Sequence, residues 1–600
     1  MAERFPSPFE VETPPGGEGW EELYTYSLPF SEDRRGYEDG TFWFQDRIHC
    51  PDPLTPWDAT WLEYALASLS QYNTRHYLIP PALGVDYRVL NGYTYLSPVP
   101  VADPAEIEAR VPQFMERAGF YFQNWDDLYA NWLEKMRSLI DEMEAVSFAP
   151  LPEKEPMEVV TEGRGFGSGL TIQQSYRDLL NLGLKLWQLH FEFLNLGYAA
   201  YLDFFGFCKE AFPNIPDLAI AKMVAGVEVD LFRPDEELKT LARIVIENDL
   251  GSKLAEDDPH QVLAGLEGTP FIEHWNSVKD PWFNFSSGSG FYHTHKVWIE
   301  HPDIPLGFIR NYVAALEAGE DISRPIEEVR KERDRIVSEY EGLLGSDEDR
   351  DAFAQKLGLA RVVFPYVENH NFYVEHWSHS VLYRKMKELG DVFVKEGFFA
   401  NRDDIFYMKR DEVNEALWDM YSAWAVGTEP RGPVYWDREL ARRKGILEAL
   451  RGWSPPPALG SPPEVVTEPF TIMLWGITSD SIAMWLGADE EGGDGGLRGF
   501  AASPGVAEGT ARVILSADDI GQLEEGDILV APITAPSWAP VFTKIGATVT
   551  DIGGMMSHAA IVCREYGLPA VTGTAFATDR IRTGQRVRVD GSSGTVTILD

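Results

Sequence analysis

The spacing of apolar residues changes near residue 500 and divides the chain into two parts of different architecture. From about 104 to 450, apolar residues recur at helical spacing, as in IQQSYRDLLNLGLKLWQLHFEFLNLGYAAYL. After residue 499 follow short β-rich runs separated by glycine, such as GTARVILS and GDILVAP, with one helical segment from about Ser557 to Tyr566. We therefore predict a multidomain protein with a mostly α-helical N-terminal and central region, followed by a small β/α domain.

Proline- and glycine-rich segments set the expected domain boundaries. SPPPALGSPPE (454–464) breaks any helix, and GADEEGGDGGLRG (487–499) has the composition of a flexible linker. An Asn-Gly pair at Asn91-Gly92 predicts a hairpin turn in the N-terminal part. The predicted divisions are an irregular N-terminal part with a short helix and a hairpin (1–103), a helical domain (104–453), a linker (454–499) and the β/α domain (500–600).

The net charge excludes several classes of partner. Lys and Arg number 52 against 95 Asp and Glu, which gives a net charge of −43. Such a polyanion repels nucleic acid and anionic membranes, so we expect neither as a partner. No apolar run is long enough to span a bilayer, the N-terminus lacks a signal-peptide pattern, and the three cysteines do not form a disulfide framework. These features predict a cytoplasmic protein.

A single histidine stands where the most informative segment, VTDIGGMMSHAAIVCREYG, turns from a strand into a helix. Glycines allow a sharp turn and close approach to a ligand, and the first helical turn offers unpaired N–H groups to an anion. The helix dipole disfavours a cationic imidazole, so His558 should be neutral and nucleophilic. These features suit a histidine that is phosphorylated and then gives the group away.

Three other interpretations of His558 remain open at this point. It could be a histidine packed at the start of a helix. As a metal ligand it lacks a second His, Cys or carboxylate at ligand spacing, so we predict no metal site. A Ser-His protease pair is disfavoured because adjacent residues of a helix do not face each other.

The same segment closely resembles the phosphohistidine signature of the swivelling domain shared by phosphoenolpyruvate synthase, pyruvate phosphate dikinase and rifampicin phosphotransferase. AASPGVAEGTARVI (501–514) and GDILVAPITAPSWAPVF (526–542) resemble the opening and middle of that domain. The resemblance implies that His558 is the phosphoryl carrier, with Ser557, Gly553 and Gly554 around the phosphate. Upstream, GTFWFQDRIHCPDPLTPWDA (40–59) resembles the start of the acceptor-binding part of the phosphotransferases.

Neither an ATP-grasp pattern nor the pyruvate-binding barrel of that family is found in the 600 residues. We therefore expect a separate ATP-grasp subunit to phosphorylate His558, bringing ATP and Mg²⁺, with no cofactor bound by this chain alone. The arrangement resembles the histidine-carrying subunit of phenylphosphate synthase and of the cresol-phosphorylating (methylbenzyl phosphate) synthases. The resemblance implies a dikinase-type reaction in which ATP, a phenol or aryl alcohol and water give an aryl or benzylic phosphate, AMP and phosphate.

An acceptor site of this kind must bind a ring and remove a proton from a hydroxyl. Two polar clusters, FYHTHKVWIEH and VENHNFYVEHWSH, and a downstream arginine supply candidates, although a structural polar face explains each cluster equally well. Aromatic residues make up 12% of the chain, either as core or as the wall of a pocket for a flat substrate. The acceptor-site candidates are His293, His295, Lys296, Glu368, His370, Glu375, His376, His379 and Arg402.

Two alternatives to a phenolic acceptor remain open. The same chemistry could modify an antibiotic hydroxyl or another small-molecule hydroxyl. In a different class of function, the chain could be a regulatory carrier whose phosphohistidine passes to no small molecule; a helical domain without an aromatic-sized pocket would favour that function.

Overall fold

A computed structural model of the chain describes residues 4–466, 468, 470–486 and 496–599. The predicted fold class is confirmed: a helical N-terminal and central region precedes a small β-rich domain. None of the described helices is long and apolar enough to cross a membrane. Much of the Gly- and acid-rich segment 487–499, expected to be a linker, lies outside the described residues.

The described residues of the N-terminal part, up to residue 103, contain two α-helices and three strands, besides short 3₁₀ and π-helical segments. These elements are α1 (Arg35–Gly40), β1 (Phe42–Gln45), α2 (Ala59–Gln71), β2 (Ala82–Leu90) and β3 (Tyr93–Pro100). Strands β2 and β3 form the predicted hairpin, and its turn residues Asn91 and Gly92 have positive φ angles of 49° and 83°. This geometry is that of a two-residue turn that matches the twist of the strands.

Fifteen α-helices follow between residues 104 and 451, in the region that the periodicity predicts to be mostly helical. They are α3 (Pro104–Gln123), α4 (Trp125–Ala145), α5 (Met157–Thr161), α6 (Ser168–Phe191), α7 (Leu194–Ala211), α8 (Asp217–Met223), α9 (Arg233–Glu247), α10 (Pro259–Gly265), α11 (Pro270–Trp282), α12 (Asp303–Glu317), α13 (Ile326–Glu341), α14 (Asp347–His370), α15 (His379–Lys395), α16 (Arg410–Val426) and α17 (Gly432–Arg451). A π-helical segment, Asn371–Ser378, joins α14 to α15.

The segment 454–499 contains ordered elements. Strand β4 (Ala458–Gly460) pairs antiparallel with β1 and completes a four-stranded sheet of order β2-β3-β1-β4. A π-helical turn (Thr471–Trp475) and helix α18 (Ser479–Trp485) follow. The proline-rich part of this segment is therefore anchored to the N-terminal sheet, and strand β5 (Gly496–Arg498) starts the next sheet before residue 500.

The C-terminal β/α domain (residues 496–599) is built on one eight-stranded sheet. After β5 come β6 (Phe500–Ser503), β7 (Val506–Val513), β8 (Ile528–Ala531), β9 (Ala547–Thr550), α19 (His558–Tyr566), β10 (Ala570–Thr572), α20 (Ala577–Arg580), β11 (Arg586–Asp590) and β12 (Thr595–Ile598). The strand order is β5-β12-β11-β7-β8-β9-β10-β6, and β7 to β10 are parallel. Helix α19 lies between the parallel strands β9 and β10 along the chain, so its N-terminus follows the carboxyl end of β9.

The β/α domain packs directly on the helical domain. Residues of α19 belong to the same apolar core cluster as the helical domain, while a second, smaller cluster lies within the eight-stranded sheet. At the C-terminal end of α19, the Tyr566 hydroxyl donates a hydrogen bond of 2.7 Å to Asp235, which also pairs with the fully buried Lys239 at 2.6 Å. The neighbouring Glu565 accepts the Gly226 N–H at 2.8 Å. These contacts fix the orientation of α19 against the helical domain.

Candidate active site

His558 is the first residue of α19, and Ser557 occupies the N-cap position in an extended conformation. Neither ring nitrogen of His558 has a hydrogen-bond partner among the described residues, nor has the Ser557 hydroxyl. Burial lowers the pKa of His558 from 6.5 to about 3. The imidazole is therefore neutral at physiological pH, and its nitrogen lone pair is available as a nucleophile.

The loop before His558 requires glycine at residue 553. Gly553 has a φ of 119°, and a Cβ there would lie 2.7 Å from the Ser557 Oγ. The next residue, Gly554, donates its N–H to the Leu474 carbonyl at 3.2 Å. Two of the predicted phosphate-binding residues therefore differ. The Ser557 hydroxyl lies beside His558 without a partner in the described part of the chain, whereas the Gly554 N–H already donates to the π-helical turn.

Asp551, which directly follows β9, connects the loop before His558 to α20. Its carboxylate accepts the N–H of Thr578 at 3.0 Å and also the Thr578 hydroxyl. Arg47 of the N-terminal part lies 3.8 Å away, and burial nevertheless raises the pKa of Asp551. This aspartate links α20 to the His558 loop and does not line the cavity described next.

His558 faces a cavity of about 540 Å³ between the helical and β/α domains. The β/α domain supplies one wall, including Thr534, Trp538, Met556, Ser557, His558 and Ile561. The remainder of the chain supplies an aromatic surface that includes Trp61, Trp187, Phe191, Tyr198, Phe291, Phe470 and Trp475. The volume is that of a typical small-molecule site.

Three of these rings form a stacked wall. The ring centroids of Trp61 and Phe291 lie 4.4 Å apart with 25° between their planes, and Trp187 stacks on both at 5.8 and 5.9 Å. The Trp61 Nε1–H donates to the Phe291 carbonyl at 3.0 Å, which fixes the indole. The N-terminal part and the helical domain thus together present a stacked aromatic surface to the cavity that His558 lines.

A His–Glu–His cluster, formed by the buried His190 and His370 and the partly buried Glu375, lines the same cavity. Glu375 Oε1 lies 3.4 Å from His190 Nε2 and 3.6 Å from His370 Nε2. Burial lowers the pKa of His190 to about 4, and although burial alone would raise the pKa of Glu375, the two histidines hold it well below its usual range. The cluster therefore consists of a carboxylate between two imidazoles.

The π-helical segment explains how this cluster forms. In the π-helical segment after α14, a side chain lies near the one five positions further along the chain. This spacing brings Glu375 next to His370. Nothing in the local sequence distinguishes a π-helical segment from an α-helix.

The cavity wall includes five of the nine predicted acceptor-site residues: His295, Lys296, Glu368, His370 and Glu375. Burial raises the pKa of Glu368 to about 8, so this carboxyl is protonated at neutral pH.

The other four predicted acceptor-site residues lie outside the cavity lining. His293 Nδ1 pairs with Asp58 at 2.7 Å, and its ring stacks on Phe406. His376 accepts the Ser286 N–H, and His379 bonds to the Gly290 carbonyl. Arg402 lies on the surface near Asp391 and Asp403. The structure therefore does not bring these four to the cavity lining: the three histidines have partners inside the core, and the arginine is exposed.

Several cavity residues were missed by the sequence analysis. Asp46 holds His49 at 2.9 Å and accepts the Trp475 Nε1–H at 3.2 Å. Burial alone would lower the pKa of His49. The Asp46 carboxylate has the larger effect, so the pKa of His49 is raised. His49 and His190 lie in two aromatic-rich segments, GTFWFQDRIHC and KLWQLHFEFLNLGYAAYLDFFGF. Neither segment contains a sequence pattern that would single out its histidine as a site residue.

Comparison with known proteins supports this picture of the C-terminal domain. The family model described as "PEP-utilising enzyme, mobile domain" matches residues 523–594. Over 100 residues (17% of this chain), the chain is 51% identical to a probable phosphoenolpyruvate synthase of Archaeoglobus fulgidus, covering 13% of that protein. Residues 523–594 are thus similar to the mobile domain of PEP-utilising enzymes.

Similarity also extends beyond this domain. The chain is 30% identical over 310 residues to a rifampicin phosphotransferase of Streptomyces sviceus, covering 51% of this chain and 32% of that protein. It is 26% identical over 569 residues to chondramide synthase cmdD of Chondromyces crocatus, covering 93% of this chain and 14% of that protein. The chain therefore spans a third or less of the length of these relatives and is homologous to rifampicin phosphotransferases and phosphoenolpyruvate synthases.

Proposed function

We propose that His558 accepts a phosphoryl group and transfers it to the hydroxyl of an aromatic small molecule bound in the cavity. The observation that carries this proposal is the position of His558: its ring nitrogens have no hydrogen-bond partner among the described residues, and the residue lines a cavity walled by stacked aromatic rings. The similarity of the β/α domain to PEP-utilising mobile domains supports the role of the histidine.

The chemistry follows from the state of the imidazole. A neutral His558 attacks the phosphorus of a donor, and the new N–P bond forms as the donor's P–O bond breaks. In the second half-reaction the acceptor hydroxyl attacks the same phosphorus, the N–P bond breaks, and the hydroxyl proton ends on the released imidazole. The unpartnered Ser557 hydroxyl and the first-turn N–H groups of α19 are placed to contact the phosphoryl oxygens.

The aromatic wall favours a flat, ring-bearing acceptor. Trp61, Phe291 and Trp187 offer stacking surface on the helical-domain side, and His558 lies on the side of the β/α domain. A phenol or aryl alcohol stacked on this wall would present its hydroxyl towards the phosphorus. Reaction in this enclosed site would also exclude water, which would otherwise hydrolyse the phosphohistidine.

We further propose that ATP, with Mg²⁺, is the phosphoryl source and that a separate ATP-grasp subunit delivers the group, with AMP and phosphate as the other products. The docked arrangement supports a moving domain. Both ring nitrogens of His558 are shielded by the cavity residues, so a nucleotide-binding protein can reach them only after the β/α domain leaves the helical domain.

A larger acceptor, such as an antibiotic or another secondary metabolite, is a second candidate. A volume of about 540 Å³ exceeds what a single phenol ring fills, and the chain is similar to rifampicin phosphotransferases. The regulatory-carrier alternative expected a helical domain without an aromatic-sized pocket, and the cavity argues against it.

The test uses a chemical phosphoryl donor, so it does not depend on a partner. Purified chain is incubated with labelled phosphoramidate, and acid-labile label on the protein is measured, followed by a panel of phenols, benzylic alcohols and polyketide hydroxyls. We expect label on the wild type and on His274→Asn, a control outside the cavity, but not on His558→Asn. Transfer to at least one aromatic hydroxyl supports the proposal; an unlabelled wild type, or label retained by His558→Asn, overturns it.

A further inference from the structure

The donor atoms of the His–Glu–His cluster lie at distances that suit a metal ion better than hydrogen bonds. Charge-assisted hydrogen bonds between imidazole and carboxylate are typically about 2.8 Å long. Here Glu375 Oε1 is 3.4 Å from His190 Nε2 and 3.6 Å from His370 Nε2, and one donor atom from each residue lies within 4.8 Å of the others. Two ligands bound to a tetrahedral Zn²⁺ at about 2.1 Å are separated by about 3.4 Å, so these distances match the edges of a coordination tetrahedron.

The protein holds the three donors on different parts of the backbone. His190 comes from the last turn of α6, His370 ends α14, and Glu375 lies in the π-helical segment. Both histidines are 4% exposed, and their rings are nearly perpendicular, with centroids 4.8 Å apart. π-Helical segments are rare and occur frequently at functional sites, because they place residues five apart on one face.

The cluster also has an open side. All three residues line the cavity that contains His558 and the stacked rings. Two imidazoles and one carboxylate with a fourth position left to water or substrate form the ligand set of catalytic zinc sites. A divalent cation would in addition compensate the negative charge of Glu375.

We propose that His190, His370 and Glu375 bind a divalent cation of the Zn²⁺ class, and that its open position takes the acceptor hydroxyl. Binding of the cation stands by itself, whereas its role in transfer rests on the proposed function. The cation withdraws charge from the bound oxygen and favours loss of its proton. The oxygen then attacks the phosphorus on His558, the O–P bond forms as the N–P bond breaks, and the hydroxyl proton ends on the released imidazole.

The experiment measures metal binding before any transfer. Chain without a histidine tag is stripped with a chelator and titrated with Co²⁺, whose visible absorption reports coordination, and then with Zn²⁺ in a calorimeter. We expect one Co²⁺ per chain, displaced by Zn²⁺, and a loss of affinity of about 100-fold or more in His190→Ala and Glu375→Gln. His274→Asn, which removes another His–Glu pair (2.7 Å) outside the cavity, should bind as the wild type does.

Thermal melting shows whether each variant is folded. If a variant folds poorly, the titration of the wild type still tests the metal site. A wild type that takes up no Co²⁺ at stoichiometric concentration, or binding unaffected by Glu375→Gln in a folded variant, overturns the site. His558→Asn separates the two proposals, because it should bind Co²⁺ normally while losing phosphorylation. Metal binding without transfer contradicts only the proposed function, and transfer by metal-free protein contradicts only the catalytic role of the cation.

Discussion

The Tyr566 hydroxyl donates a hydrogen bond of 2.7 Å to Asp235 and thereby joins the helix that carries His558 to helix α9 of the helical domain. Asp235 also accepts the Tyr312 hydroxyl and pairs with Lys239, whose side chain is 0% exposed. The docking of the two domains therefore depends on a buried polar network as well as on apolar packing, and such a network can be weakened one group at a time.

Tyr566→Phe should weaken domain docking. The change removes one buried hydrogen bond, worth about 1 kcal/mol, while Asp235 keeps its other two partners. We expect a lower melting temperature and faster limited proteolysis between the two domains. Tyr435→Phe, at an exposed tyrosine on α17, is the matched control and should change neither. Equal proteolysis rates in wild type and Tyr566→Phe would show that this bond does not hold the domains together.

Phe291→Leu should reduce affinity for an aromatic acceptor without affecting phosphorylation of His558. Leucine keeps the site apolar but removes the ring that stacks on Trp61 at 4.4 Å. Aromatic pairs contribute about 0.5–1.5 kcal/mol, so KM for the acceptor should rise by up to about tenfold. Steady-state kinetics would measure this, with Phe353→Leu, a core phenylalanine outside the cavity, as control. A parallel loss of phosphohistidine would contradict the assignment of Phe291 to acceptor binding.

Gly553→Ala should disrupt the His558 loop. At a φ of 119° an alanine is strained, and its Cβ would press on the Ser557 Oγ at 2.7 Å. We expect a loss of about 1–3 kcal/mol in unfolding free energy and slower labelling by phosphoramidate. Gly567→Asn is the control, because Gly567 has a φ of 69° with open space around it. Normal labelling of a folded Gly553→Ala protein would mean that the loop geometry is not needed for phosphorylation.

His558 should make stability fall as the pH is lowered. Its pKa is about 3 in the folded protein and 6.5 ordinarily, so between these values the unfolded chain binds a proton that the folded chain does not. The free energy of unfolding should therefore fall with decreasing pH below 6.5, by at most about 1.4 kcal/mol per pH unit from this group. His558→Asn should flatten the slope in denaturant titrations at pH 4.5 to 7, while His376, with its pKa also near 3, still contributes in both proteins. An unchanged slope would indicate that the ring is solvated.

Glu368 should make the free energy of unfolding fall as the pH is raised, which is the opposite of the dependence expected from His558. Its pKa is raised from 4.5 to about 8, so over this range the folded state keeps a proton that the unfolded state loses, and its contribution falls as the pH rises. Glu368→Gln preserves the shape of the protonated acid. Its free energy of unfolding, measured relative to the wild type, should increase from pH 5 to pH 8 by up to about 1.4 kcal/mol per pH unit. The exposed Glu328→Gln serves as control in the same unfolding titrations. A constant difference across this range would contradict a protonated Glu368.

The sequence by itself determined the broad division into secondary-structure types and the position of His558 at a helix start. Helical periodicity predicted the mostly helical region in which α3 to α17 lie, the Asn-Gly pair located the β2–β3 turn, and the segment around His558 indicated a histidine at a helix start, because each of these signals is local. The five acceptor candidates that line the cavity were predicted as members of polar clusters, but their neighbours His293, His376 and His379 were predicted equally and lie elsewhere.

Only the tertiary structure decided which histidines meet one another and what faces His558. Glu375 reaches His370 because the backbone widens into a π-helical segment, and it reaches His190 because α6 packs beside that segment across 185 residues of sequence. The stacked wall likewise joins Trp61, Trp187 and Phe291, which are remote in the chain. Periodicity records which face of an element is buried, but not which partner covers it, so the composition of the cavity is set by packing between domains.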